Sequence, residues 1–268
     1  MRGPVVRFEH GARTLEHMRI ETATEPGTPG APNEDFAAVA LPAGGHGGAL
    51  VLLDGVTPPP DNGQCAHSVA WFTARLGGAL LELSVSREDL TLAECLSAAI
   101  GVTADAHRDT CDLSHPLTPQ ATVVAARWGA EELEHLVLSD SVLLLEGGDG
   151  EVTAVLDDRI DRLRAAGHRL APLRNRPGGF FTAAADPAVS ALAVTGRTPL
   201  SALRAFAALT DGATRTVELF AQDDWSSLLT LLRKAGPTAL LARVRAAESA
   251  APVRGKQHDD ATAVLVEL

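Results

Sequence analysis

The sequence predicts a mixed α+β protein in which short hairpin strands are interleaved with groups of amphipathic helices. Three observations predict it. Short apolar runs such as Ala49–Leu53 and Leu133–Leu138 are bounded by turn residues, as buried strands are. Ala66–Leu83 and Leu90–Cys111 carry apolar residues at helical spacing and are joined by about seven residues, which predicts an antiparallel helix pair. The last third sets a strand ending at Thr210, three helical patterns and a closing strand, Ala263–Leu268, in succession. With 268 residues and 46% hydrophobic content, the chain can bury a sizeable core.

In order, Met1–Arg13 is weakly patterned, a flexible lead or an extra edge strand, so 1–17 is treated as an N-terminal extension and 18–268 as one domain. His17–Thr24 alternates as a strand. Pro26–Pro32 is a loop dense in breakers that delivers Asn33-Glu34-Asp35 to a second strand, Phe36–Leu41. Gly44–Gly48 reads as the hairpin loop into Ala49–Leu53, which ends in Asp54-Gly55. After Pro58-Pro59-Pro60, Asp61 or Asn62 is the expected cap of the first helix. From Gln120 the period becomes two. Thr122–Ala126 and Leu133–Leu138 form a hairpin, Asp140 interrupts an otherwise apolar run into Val142–Leu145, and Glu151–Leu156 follows. Asp157–Gly167 is a charged helix, and Leu170–Ala185 is irregular. Ala205–Thr210 ends in Asp211-Gly212; helical patterns cover Ala213–Ala221, Trp225–Ala235 and Pro237–Ala247.

The net charge of −11 argues against nucleic acid or an anionic membrane as partner and suits a carrier of cations. Three cysteines without a Cys-x-x-Cys pair indicate neither a disulfide framework nor a zinc knuckle, so Cys65, Cys95 and Cys111 are expected as buried thiols on helices. His67 and His107 have no second ligand at i+4, and each is expected at a surface or in a hydrogen bond. No signal peptide or membrane-length apolar run is visible, and a cytoplasmic monomer is expected.

A single Asp-Gly at a strand end is a turn. Here carboxylates recur at strand ends: Glu34 and Asp35, Asp54, Asp211, and Asp259 with Asp260, with Asp140 inside an apolar run. Two carboxylates about 4 Å apart repel by roughly 4 kcal/mol at an effective dielectric near 20, so strand ends that converge need a counter-charge. All-oxygen ligands suit Mg²⁺ or Mn²⁺ rather than zinc.

The ordered set Asn33-Glu34-Asp35, Asp54-Gly55, Gln120-Ala121-Thr122, Ser139-Asp140-Ser141, Asp211-Gly212 and Asp259-Asp260-Ala261-Thr262 resembles the metal-dependent protein phosphatase 2C family. Leu156-Asp157-Asp158-Arg159 is similar to its strand-to-helix junction. The resemblance spans roughly residues 18 to 268 and implies a four-layer αββα sandwich of two antiparallel sheets flanked by helix pairs. It implies that Asp54 bridges two ions with the Gly55 carbonyl as a further ligand. Asp211 and Asp259 would complete one ion's shell, while Glu34 and Asp35 hold the other largely through waters. Asp140 with Asp211 matches a third, weaker site, and Asp260 stands where Asn is frequent and is not counted as a ligand. Asp54, Asp211 and Asp259 are then the catalytic carboxylates. The implied activity is phosphoserine/phosphothreonine protein phosphatase or hydrolysis of a small phosphate ester, with Mn²⁺ or Mg²⁺ activating a shared water for in-line attack on phosphorus. The other class is a non-catalytic phosphoprotein-binding or regulatory member that keeps the ions.

Three departures concern the substrate rather than the ions. The loop before Glu34-Asp35 lacks the family's arginine, leaving Arg19 or a distant arginine to replace it. Val56-Thr57-Pro58-Pro59-Pro60 replaces a glycine-rich stretch, and Gln120 replaces a small residue.

Overall fold

The computed structural model describes residues 18–42, 47–59, 65–252 and 256–268. Two five-stranded antiparallel sheets carry the architecture. One has the order β1 (Arg19–Glu25), β10 (Ala261–Glu267), β9 (Leu203–Leu209), β6 (Val142–Gly147), β7 (Val152–Val155). The other runs β2 (Phe36–Ala40), β3 (Gly48–Leu53), β4 (Val123–Trp128), β5 (Glu132–Leu138), β8 (Val194–Pro199). The helices are α1 (Val69–Ser86), α2 (Leu92–Asp105), α3 (Arg159–Ala165), α4 (Asp211–Glu218), α5 (Trp225–Ala235) and α6 (Pro237–Ala250).

The period of two assigns each strand residue to a layer. On β3, Leu50 and Leu52 join Val124, Ala126, Phe206, Val264 and Val266 in a core between the sheets. Val51 and Leu53 face the other way, onto Phe72, Leu76 and Leu96 of α1 and α2. On β9, in the facing sheet, Ala205, Ala207 and Leu209 turn outward onto Leu228, Leu232, Leu240 and Val244 of α5 and α6. Three apolar seams between four layers make the αββα sandwich. Strands buried on both faces read as near-continuous apolar runs, which is why Leu50–Leu53 and Val142–Leu145 are fully apolar.

Most expected elements stand within a few residues. The expected cap at Asp61 or Asn62 lies outside the described residues, as do 1–17 and most of the loop before Gly48; α1 is capped by Ser68, whose hydroxyl accepts from Trp71 N–H at 3.1 Å. The second helix is shorter than expected, running from a Thr91–Glu94 capping box to Asp105. β8 was not expected: Val194-Thr195-Gly196-Arg197-Thr198-Pro199 is an edge strand, half-buried at alternate positions and too polar to read as one.

The cysteine expectation is corrected. Only Cys95 is a buried thiol on a helix. Cys65 and Cys111 lie outside helices, meet in an isolated antiparallel bridge and are joined as a disulfide. Their sequence separation of 46 leaves no local signal for the pairing.

Candidate active site

The register of β1, β10 and β9 brings Glu25, Ala261 and Leu209 to the same end of one sheet. Asp259 therefore precedes β10 beside Asp211, which follows β9 and is the first residue of α4. On the facing sheet Glu34 and Asp35 lead into β2, whose Phe36 pairs with Leu53. That pairing puts them beside Asp54. The chain between β5 and β6 supplies Asp140. Gly55 is essential to the convergence: a Cβ there would sit 2.5 Å from both Glu34 O and Val69 Cγ1. Gly212 is equally constrained, because its Cβ would meet the Asp260 carbonyl oxygen at 1.9 Å.

The carboxylates form one electrostatic unit. Burial, then the charges of Asp211, Asp35 and Asp140, hold Asp54 well above the ordinary carboxylate range, and it shares a hydrogen bond with Asp211. Burial, then Asp140 and Asp259, pushes Asp211 to about 6. Asp35 is pushed to about 7, chiefly by burial. Asp140 and Glu34 are raised for the same first reason. Asp35 Oδ2 accepts from Thr262 Oγ1 at 2.6 Å and Thr210 Oγ1 at 3.1 Å, while its Oδ1 is buried without a partner. An orphaned carboxylate oxygen among mutually repelling acids is a donor set that fits a hard divalent cation.

Each acid is aimed by a neighbour. The Asp54 N–H donates to Thr122 Oγ1 at 3.2 Å, and that hydroxyl pairs with Ser141 Oγ at 2.6 Å. Asp140 follows Ser139, a non-glycine residue at φ 71°. Ser139 N–H donates to Asp157 Oδ2 at 2.9 Å, and Arg159 grips both oxygens of Asp157 at 2.7 and 2.8 Å. The Asp157–Arg159 junction thus offsets the strain of the turn that presents Asp140. Asp260 is a clamp: its two oxygens accept from Gly27 N–H and Glu34 N–H, both at 2.7 Å, tying the breaker-rich loop to β10.

Asp259 differs from the rest. Its Oδ2 accepts from Arg215 Nη2 at 3.1 Å and its Oδ1 from Lys256 Nζ at 2.8 Å. The same ammonium donates to Thr57 Oγ1 at 2.8 Å, and Thr57 donates to Glu34 Oε2 at 2.5 Å. Arg215 also holds the buried Glu248 at 2.7 Å.

Four participants escaped sequence reasoning. Arg215, buried, and Lys256, exposed, carry no signal of their own. Glu218 lies two turns after Asp211 on α4, exposed over part of its length, with its carboxyl hydrogen-bonded to Thr214 and pushed to about 7 by burial. Its i+7 spacing from Asp211 was the available signal. The fourth is Arg174. It lies in the stretch read as irregular and stacks over Phe180 at 5.6 Å; its Nε is buried with no partner. Burial lowers its pKa, and the charge of Asp140 opposes that. With Glu34 it lines a pocket of about 180 Å³.

Arg19 is excluded as a phosphate ligand. It pairs with Glu267 at 2.6 Å at the opposite end of β1 from the acids. Gln120 explains how Arg174 is held. Its Oε1 accepts from Thr182 Oγ1 at 2.6 Å and Asn175 Nδ2 at 3.2 Å, fastening the Arg174 segment to the start of β4.

Compared as a sequence, the chain matches no family model and no curated protein. Compared as a structure, it is similar to the serine/threonine phosphatase Stp1 from Staphylococcus aureus, with a TM-score of 0.63 at 14% identity, over 100% of this chain and 99% of that one. The Mycobacterium tuberculosis serine/threonine phosphatase PstP aligns with a TM-score of 0.58 at 20% identity, over 94% and 98%. A PstP catalytic domain in complex with two manganese ions aligns at 0.57 and 19%, over 93% and 97%. The chain has the fold of these bacterial phosphatases, as the protein phosphatase 2C resemblance implied.

Proposed function

We propose that the chain is a metal-dependent phosphomonoester hydrolase acting on phosphoserine and phosphothreonine in proteins, with Mn²⁺ or Mg²⁺ as cofactor. The observation that carries this reading is the convergence of Asp54, Asp35, Asp140 and Asp211, each carboxyl raised chiefly by burial, and those of Asp54, Asp35 and Asp211 also by neighbouring acids. Such a cluster is a standing cost that bound cations offset.

Asp54 would serve both ions, with the Gly55 carbonyl as a further ligand, Asp211 and Asp259 on one ion and Glu34 and Asp35 on the other. Asp140 with Asp211 would hold a third. The chemistry the ions supply is a hydroxide nucleophile near neutral pH and neutralisation of phosphoryl charge. Arg174 supplies the fixed cation that the loop before Glu34 lacks: its guanidinium is suited to paired phosphoryl oxygens and orients phosphorus over the acids. A small phosphate ester is the narrower variant of the same reading. The test is p-nitrophenyl phosphate turnover with and without Mn²⁺; folded protein with no metal-dependent rate would refute it.

A specific observation favours the second reading, a phosphoprotein-binding or regulatory module. Both oxygens of Asp259 are already engaged by Arg215 and Lys256, so the outer lobe of the cluster carries its own counter-charge. Lys256→Ala separates the two. Faster Mn²⁺-dependent turnover in the variant identifies Lys256 as a competitor of the ion. Binding of a phosphopeptide without turnover, in both wild type and variant, identifies the module.

A further inference from the structure

Beside the acidic cluster lies a second group of ligating side chains of opposite chemical character. The ligating atoms of Cys65, His67, His107 and Cys111 all lie within 4.8 Å of one another. His67 Nδ1 is 3.8 Å from Cys65 Sγ and 3.5 Å from Cys111 Sγ. With Zn–S near 2.3 Å and Zn–N near 2.0–2.1 Å, a tetrahedral ion sets its sulfur and nitrogen ligands about 3.5 Å apart. The two His67 separations match those edges, while the two sulfurs, joined as a disulfide, must part on reduction to take separate corners.

His107 gives independent support. It is 2% exposed, and neither of its ring nitrogens has a hydrogen-bond partner. Buried polar groups are paired as a rule, and an unpaired one points to an absent ligand. Stacking of Trp71 on His67 at 3.9 Å, and of Trp71 and Phe72 on His107 at 5.4 and 6.1 Å, fixes both rings.

We propose that the reduced chain binds one Zn²⁺ through the thiolates of Cys65 and Cys111 and the imidazoles of His67 and His107. Two sulfurs and two nitrogens in a tetrahedron favour zinc, while the all-oxygen cluster suits manganese or magnesium. The disulfide recorded between Cys65 and Cys111 and the ion compete for the same two sulfurs. Binding requires both thiols deprotonated and releases their protons. Cys65 and His67 precede α1, while His107 and Cys111 follow α2, so the ion ties the start of one helix to the end of the other. Cys65 and His67 also line the pocket shared by Glu34 and Arg174. The staple therefore fixes one wall of that pocket, where Val56–Pro58 departs from the glycine-rich sequence of the family.

The experiment uses the full chain, stripped of metal, with its thiols reduced and counted. It is titrated with Co²⁺ as a spectroscopic probe and then Zn²⁺, in the presence of excess Mg²⁺ to occupy the oxygen site. The expected result is one equivalent of cobalt with a thiolate charge-transfer band, displaced by one equivalent of Zn²⁺ in native mass spectrometry. Oxidising the protein abolishes binding, Cys111→Ser and His107→Ala each lower affinity by at least about tenfold, and Asp54→Asn leaves it unchanged. Folded, fully reduced wild-type protein that takes up no zinc overturns the proposal without recourse to any variant. Uptake that is unchanged in Cys111→Ser, or lost in Asp54→Asn, overturns it equally, since the ion would then be held by the acids.

Discussion

Asp54 and Asp211 share one hydrogen bond inside a cluster of like charge. Removing one charge therefore removes a ligand and a source of repulsion together. Asp54→Asn and Asp211→Asn are each expected to abolish metal-dependent turnover while leaving the metal-free melting temperature unchanged or higher. Loss of folding in both would show that these are structural acids. Arg174 makes the complementary prediction. It lies outside the ligand set, so Arg174→Ala should cut kcat/KM by about 10- to 100-fold, the worth of a charged hydrogen bond to phosphate. The manganese dependence should stay in place, and unchanged kcat/KM would remove Arg174 from the site. The pH dependence follows from Asp35, raised to about 7, and Asp211, raised to about 6. The folded state keeps these protons to higher pH than the unfolded chain, so ionisation favours unfolding. Their stabilising protonated forms are fully present below the ordinary carboxylate pKa and are lost as pH rises to about 7. Metal-free wild type should thus lose melting temperature between pH 5 and 7.5 relative to Asp35→Asn. A parallel pair of melting curves would contradict this.

The elements place these residues through a few long-range clamps. Asp260 joins the Gly27–Glu34 loop to β10 through two charge-assisted hydrogen bonds. Asp260→Ala removes both, and a loss of about 2 kcal/mol or more is expected in chemical denaturation. Turnover should fall as well, because the loop sets Glu34. Legibility follows the same lines. Strands buried on both faces and helices of three or more turns were visible, because burial imposes a period that local sequence records. β8 was not, since an edge strand with Gly196 and Arg197 buries too little to leave one. The residues around Arg174 were read as irregular, and apart from a short 3₁₀ turn at Ala171–Leu173 they are. Their order comes from Gln120, Asn175 and Thr182, whose hydrogen bonds have no period. Gln120 stood out in the sequence as a departure; its purpose is visible only with its partners.

For the whole molecule, a cation bound only by the folded state stabilises it by mass action. Mn²⁺ is expected to raise the melting temperature of wild type, to raise it less in Asp54→Asn, and to be reversed by chelator. Indifference to both Mn²⁺ and chelator would count against the acidic centre. No helix among the described residues is long and apolar enough to cross a membrane.

The alternation of strands and helices and the recurrence of carboxylates at strand ends are legible along the chain. Both are written in local order, as periodicity and as position within an apolar run. Which charges meet is a property of the packed fold. It joined Asp54 to Asp211, gave Asp259 to Arg215 and Lys256, turned Arg19 away and brought Arg174 in. It also gathered two cysteines and two histidines that, read one at a time, had no reason to be ligands. Coulombic and coordination energies depend on distance in space, and distance in space is set by sheet register and layer packing, which no single stretch of chain encodes.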